Sequence, residues 1–332
     1  MRMNFKNTFF LLALVVLASA CGGGSSSKET VNTQPLKAAP QSSADSLYAF
    51  VEKQVAFGPR VPNTDAHTQA ADWFVSKFES YGANVMVQEF EDNVYDGTRV
   101  SLKNVIASFY PEKKKRILLA AHWDTRPFAD KDSENKEAPI DGANDGGSGV
   151  AVLLEIARVL STNNAPNVGV DIILFDGEDW GEHQDMGQVD LPAGKESWWC
   201  LGSQYWSKNK HKAGYTAYYG ILLDMVGASD ATFYYDSVSQ QNAGRVMSKV
   251  WNTAHRLGYQ NFFKKSLGAT GLMDDHVFVN KYAKIPMIDI LDYRPDNFFG
   301  DYHHTQADNM DVISKETLKA VTQVVLTTLY NE

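Results

Sequence analysis

The chain has 332 residues, 44% hydrophobic and 21% charged, enough for one large α/β domain or two modest ones with a sizeable core. Its formal net charge of −9 argues against a nucleic-acid or anionic-membrane surface, because both need clustered Lys and Arg. The one basic run, Lys113 to Arg116, precedes an apolar strand and reads as a solvated turn.

At the N-terminus, Arg2 and Lys6 precede an apolar run from Phe9 to Ala18, then small residues before Cys21. Residues 1–20 read as an export signal, too short to be a spanning helix with proper flanks. Ala18-Ser19-Ala20-Cys21 resembles a bacterial lipobox, in which the cysteine is lipidated and becomes the mature N-terminus. The favoured Leu lies one place early, at Leu17, and an ordinary signal peptide cut nearby is the alternative. Residues 21–42, starting Gly22-Gly23-Gly24-Ser25, read as a flexible linker ahead of a single domain over 43–332. The expectation is an exported, periplasm-facing lipoprotein that meets the membrane only through its lipid. Cys200 is then a lone thiol, read as a packed core residue.

Ser46 to Val51 begins a helix, and Phe57-Gly58-Pro59-Arg60-Val61-Pro62 is a loop. Ala70, Trp73, Phe74 and Phe78 recur at helical spacing in a helix from Ala66 to Tyr81. Strands follow at Val85 to Glu91 and Val100 to Tyr110, joined by a turn over Asn93 to Thr98. Three short apolar runs then end in polar groups: Ile117 to Ala121 at His122-Trp123-Asp124, Val170 to Phe175 at Asp176-Gly177-Glu178-Asp179, and Tyr219 to Leu223 at Asp224. A fourth run is Met287 to Leu291. Helices are expected at Ser148 to Leu160, Ser203 to Lys208, Gly244 to Leu257 and Ser314 to Tyr330. The alternation predicts an α/β fold with a central twisted, mostly parallel but mixed sheet and helices on both faces. The ligand crevice of such a sheet lies beyond the carboxyl ends of its strands, where these acidic and imidazole groups fall.

Singly, each of these residues is a weak signal, since an Asp after a strand is commonly a turn or a helix cap. Gly142 to Gly149 lacks the Lys of a phosphate-binding loop, which argues against a nucleotide. Adjacent Glu178 and Asp179 repel unless a cation or a shared proton relieves them. Two carboxylates and one imidazole with an open fourth position suit catalytic zinc, whereas calcium prefers more oxygens and no His.

In order, His122-x-Asp124, Gly142-Ala143-Asn144-Asp145-Gly146-Gly147-Ser148-Gly149-Val150, Asp176-Gly177-Glu178-Asp179, Leu222-Leu223-Asp224-Met225-Val226-Gly227-Ala228, Asp274-Asp275-His276 and His303-His304-Thr305 resemble the co-catalytic zinc aminopeptidase family. Within it they resemble the zinc glutaminyl-peptide cyclotransferases of animal and bacterial type, from about Phe57 to Tyr330. The resemblance implies a zinc-aminopeptidase-like fold and one zinc per chain held by Asp145, Asp179 and His304. It implies Glu178 as general acid/base, Asp224 as holder of the substrate amine, and Asp274 hydrogen-bonded between those two. Phe299, Leu272 and His303 fall to substrate binding. Two departures stand out: Asp179 where animal cyclases carry Glu, and His303 where they carry Trp. The second leaves His303 open as an alternative ligand.

The implied substrates are peptides and proteins with N-terminal Gln, whose amine attacks its own side-chain amide, releases ammonia and leaves pyroglutamate. The rival is a two-zinc aminopeptidase that adds His122 and Asp224 as ligands of a second ion, and every ligand type it needs is present. A binding protein that had lost the chemistry predicts missing ligands, and none is missing.

Overall fold

A computed structural model describes residues 35–295 and 298–332. The export signal, Cys21 and most of the expected linker lie outside the described residues. No helix among the described residues is long and apolar enough to cross a membrane. The body is one unit running from Leu36 to Glu332. It takes hold earlier than residue 43: Lys37 N–H donates to Asn331 Oδ1, and Ser42 N–H to Gln323 Oε1. The last residues of the expected linker thus carry hydrogen bonds to α7 (Lys315–Tyr330) and its C-cap.

A mixed six-stranded sheet forms the centre, in the order β1-β2-β4-β3-β5-β8. The outer hairpin, β1 (Asn84–Asn93) and β2 (Arg99–Phe109), is antiparallel, and β2 joins β4 (Gly169–Phe175) antiparallel. From there β4, β3 (Arg116–His122), β5 (Tyr219–Asp224) and β8 (Met287–Leu291) run parallel. Alternation along β3 splits the core in two: Ile117, Leu119 and Ala121 face the larger cluster, Leu118 and Ala120 the smaller. The larger side is covered by α1 (Ala44–Val55), α2 (Asp65–Ser80), α3 (Gly147–Thr162), α5 (Ser237–Arg256) and α7 (Lys315–Tyr330). The smaller side takes Trp206 of α4 (Leu201–Lys208) and Val279, just beyond α6 (Asp275–Phe278). Each fully buried aliphatic side chain contributes about 1.5–3 kcal/mol, so burial on both faces holds the strand ends in place.

Helix starts follow their caps. Ser43, Thr64, Asp236 and Ser314 each accept a backbone N–H from the first turn of α1, α2, α5 and α7. The Asp236 cap starts α5 at Ser237, ahead of the Gly244 expected from periodicity, with non-helical geometry at Ala243 between the halves. A second sheet pairs β6 (Phe233–Asp236) with β7 (Phe263–Ala269), two strands that periodicity does not flag. The basic run is not a plain solvated turn either: Arg116 forks onto Asp171, while its guanidinium also reaches Tyr110 O and Phe109 O.

Candidate active site

The carboxyl ends of β3, β4 and β5 open onto a cavity of about 360 Å³. Asp145, Glu178, Asp179, Asp224, Asp274, His303 and His304 all line it, as do Leu272 and Phe299. His122 lies buried at the end of β3, its Nε2 3.0 Å from Asp145 Oδ1 and 3.1 Å from Asp224 Oδ1. Every expected site residue among the described ones is thus gathered in one place.

Backbone anchoring explains the convergence. Asp124, two residues beyond β3, accepts from Glu178 N–H at 3.0 Å and from Asp179 N–H at 3.1 Å, fixing the turn after β4. Buried Asp308 does the same for Asn144 N–H (2.7 Å) and Asp145 N–H (3.1 Å). The Arg60 guanidinium binds the carbonyls of Trp123, Asp141 and Gly142, tying the Gly-rich loop to the end of β3. Gly146 follows a cis peptide, and a Cβ there would sit 2.4 Å from His122 O and 2.7 Å from the His122 ring. Only glycine lets the loop approach the imidazole this closely.

Two sets of donor atoms result. On one side His304 Nε2 is 3.2 Å from Asp179 Oδ1 and 3.9 Å from Asp145 Oδ2. Asp179 Oδ2 is buried with no hydrogen-bond partner among the described residues. Two buried carboxylates, one imidazole and an unsatisfied oxygen are a set that zinc would complete. His303 competes for the same place, since Asp145, His303 and His304 offer donor atoms within 4.8 Å of one another. On the other side His122, Asp145 and Asp224 meet the same measure.

The acid/base side is proton-rich. Burial pushes Glu178 well above the ordinary carboxyl range; His122 opposes this, while Asp179, Asp274 and Asp275 add repulsion. Burial, with Asp145 and Asp274 beyond it, raises Asp224 to about 7 against the His122 hydrogen bond. Asp275 and Asp289 behind the cavity are also pushed up, by burial first and by Asp274 next. Burial acts against a charged His122, yet hydrogen bonds to Asp124, Asp145 and Asp224 hold its imidazolium well above the usual value. Carboxyls packed this densely share protons instead of all ionising.

Several contributors escaped the sequence reading. Cys200 is not merely packed: its thiol donates to Glu178 Oε1 at 3.1 Å and its N–H to Glu178 O at 3.0 Å. Trp199 stacks on His304 with centroids 5.8 Å apart, and the Arg126 guanidinium lies 4.7 Å from the Trp199 ring. Asp130 and Lys131, a few residues beyond the His122-x-Asp124 motif, also line the cavity. Their place shortly after the His122-x-Asp124 motif was a usable signal; for Cys200 there was none beyond its standing just ahead of a helix.

A family model described as Peptidase family M28 matches residues 104–329. A glutaminyl-peptide cyclotransferase of Drosophila melanogaster is 23% identical over 281 residues, covering 78% of this chain and 73% of its own. Among solved structures, the Bacteroides thetaiotaomicron glutaminyl cyclase is 48% identical with a TM-score of 0.84, over 89% of this chain and 100% of its own. A Parabacteroides distasonis protein described as a Zn-dependent exopeptidase is 47% identical with a TM-score of 0.85, over 89% of this chain and 100% of its own.

Proposed function

This chain belongs to peptidase family M28, and from that premise we propose that it is a zinc-dependent glutaminyl-peptide cyclotransferase. The observation that carries the choice is its likeness to a solved glutaminyl cyclase over that protein's whole length at 48% identity. The cavity is consistent with it: Glu178, Asp224 and Asp274 line it together with Leu272 and Phe299.

Asp145, Asp179 and His304 would hold one zinc, which when bound supplies a Lewis acid for the side-chain amide oxygen of the substrate. The remaining work falls to the protein. Asp224, at the end of β5, receives the α-amine of an N-terminal Gln. Confinement folds the side chain back on that amine, replacing an encounter by an intramolecular approach. Glu178 takes a proton from the amine as the new C–N bond forms. It returns that proton to the amide nitrogen as the old C–N bond breaks and ammonia leaves. Its raised affinity for a proton suits both halves, and the Cys200 thiol fixes the orientation of its carboxyl. Asp274 stands with them on the cavity wall.

The substrates in this reading are peptides or proteins with N-terminal Gln, with no nucleic acid involved. The protein is exported and held to a bacterial membrane by lipid on Cys21, facing the periplasm; the apolar run before Cys21 and the Gly/Ser stretch after it support this. The second reading, a two-zinc aminopeptidase, draws on the His122, Asp145 and Asp224 donor set and on the exopeptidase relative. A coupled ammonia assay on Gln-peptides, run beside an aminopeptidase assay on the same preparation, separates the two. Ammonia without peptide cleavage supports the cyclase; cleavage without ammonia selects the peptidase.

A further inference from the structure

His303 and His304 present a choice that distance alone does not make. Their rings stack with centroids 3.7 Å apart, and both Nε2 atoms lie 3.9 Å from the same oxygen, Asp145 Oδ2. The two differ at the opposite nitrogen. His304 Nδ1 faces Asp130 Oδ1 at 3.5 Å. His303 Nδ1 meets the amine of Lys131.

We propose that the dipeptide Asp130-Lys131 selects the metal ligand by fixing opposite tautomers on the two histidines: His304 offers a bare Nε2 to the ion, and His303 does not. The proposal rests on the metal site of the reading above and adds positioning residues to it.

A neutral imidazole carries one N–H, and the partner of one nitrogen decides the state of the other. Asp130 is a fixed acceptor, because Arg126 donates to Oδ1 at 2.8 Å and to Oδ2 at 2.6 Å, and Gln184 N–H to Oδ2 at 2.8 Å. An ionised carboxylate only accepts, so it draws the proton of His304 to Nδ1 and leaves the Nε2 lone pair free. This carboxylate-to-imidazole arrangement is the usual outer partner of a metal-bound histidine.

Lys131 imposes the reverse. An ammonium group has three donors and no acceptor, so the nitrogen it faces must be bare. The proton of His303 then sits on Nε2, and an N–H cannot ligate a cation. Burial lowers the proton affinity of Lys131 and Arg126 adds to this, while Asp130, Asp145 and Asp179 oppose it. The ammonium also stands over the Phe299 ring at 5.5 Å, which keeps it beside His303. On its cavity side His303 therefore only donates.

The test counts imidazoles on the ion by X-ray absorption of the zinc-loaded protein. The wild type should have one. Lys131→Arg, which keeps a donor-only group, should also have one. Lys131→Glu supplies an acceptor, moves the His303 proton to Nδ1 and should raise the count to two. Two imidazoles in the wild type, or one in a folded Lys131→Glu, overturns the proposal. Nitrogen-15 spectra of the zinc-loaded wild type give a check that needs no variant: His303 should carry its proton on Nε2 and His304 on Nδ1, and the opposite pattern at His303 overturns the assignment. The count is independent of turnover. One imidazole with no ammonia release would sink the cyclase reading while supporting the tautomer assignment, and a chain that binds no zinc overturns both.

Discussion

Glu178→Gln isolates proton transfer from everything else the turn after β4 does. The substituted side chain has the same length, so its Oε1 can still accept from the Cys200 thiol, now at 3.1 Å. The turn itself is held through backbone N–H groups, donated by Glu178 and Asp179 to Asp124, and neither bond involves the changed side chain. Asp179 should therefore stay in position and zinc content should not change. The neutral amide adds no charge beside Asp179, Asp274 and Asp275, so the variant should fold as well as the wild type. What it loses is a group that accepts a proton and gives it back. General acid/base catalysis is worth roughly 10²–10⁴-fold, or about 3–5 kcal/mol of activation free energy. Turnover in a coupled ammonia assay should fall by that factor, with zinc measured on the same sample. Wild-type turnover would refute the role given to Glu178, and loss of zinc would refute the claim that the turn is held independently of its side chain.

Four further outcomes are expected. His304→Ala removes the imidazole 3.2 Å from Asp179 and should lose both zinc and activity, read by metal analysis after dialysis. Asp224→Asn should keep its zinc content while turnover collapses; loss of one metal would select the two-zinc peptidase. Gly146→Ala drives a Cβ to 2.4 Å from His122 O, and overpacking of this kind costs about 1–3 kcal/mol, visible as a lowered Tm. Cys21→Ser should move the protein from the membrane fraction to the soluble one with turnover intact, and a wild type that is already soluble and carries no lipid mass would refute the anchor.

The sheet was legible because its inner strands are continuous apolar runs that end abruptly in acid or imidazole, as at Leu223-Asp224 and Ala121-His122. Burial on both faces demands the run, and the crevice demands its ending. The β6–β7 pair was not legible, because Phe233 to Asp236 and Phe263 to Ala269 mix lysine, glycine and tyrosine with no clean alternation. The early start of α5 was hidden for a related reason: its first turns are polar, and the start is set by the Asp236 cap. In the site, the residues that line the cavity could be named from motif order. Those that orient them could not. Asp308 and Arg60 act through backbone groups distant in sequence, and Cys200 reaches Glu178 from 22 residues away. A side chain that binds a backbone N–H or C=O leaves no residue-type pattern at its partner's position.

The most direct measurement is the product formed from a peptide that starts with Gln. After incubation with the zinc-loaded protein, mass spectrometry should find the peptide at full length, lighter by one ammonia, and blocked to N-terminal sequencing, with ammonia released in equal amount. Free glutamine and a peptide shortened by one residue would contradict the account and establish hydrolysis in place of cyclisation.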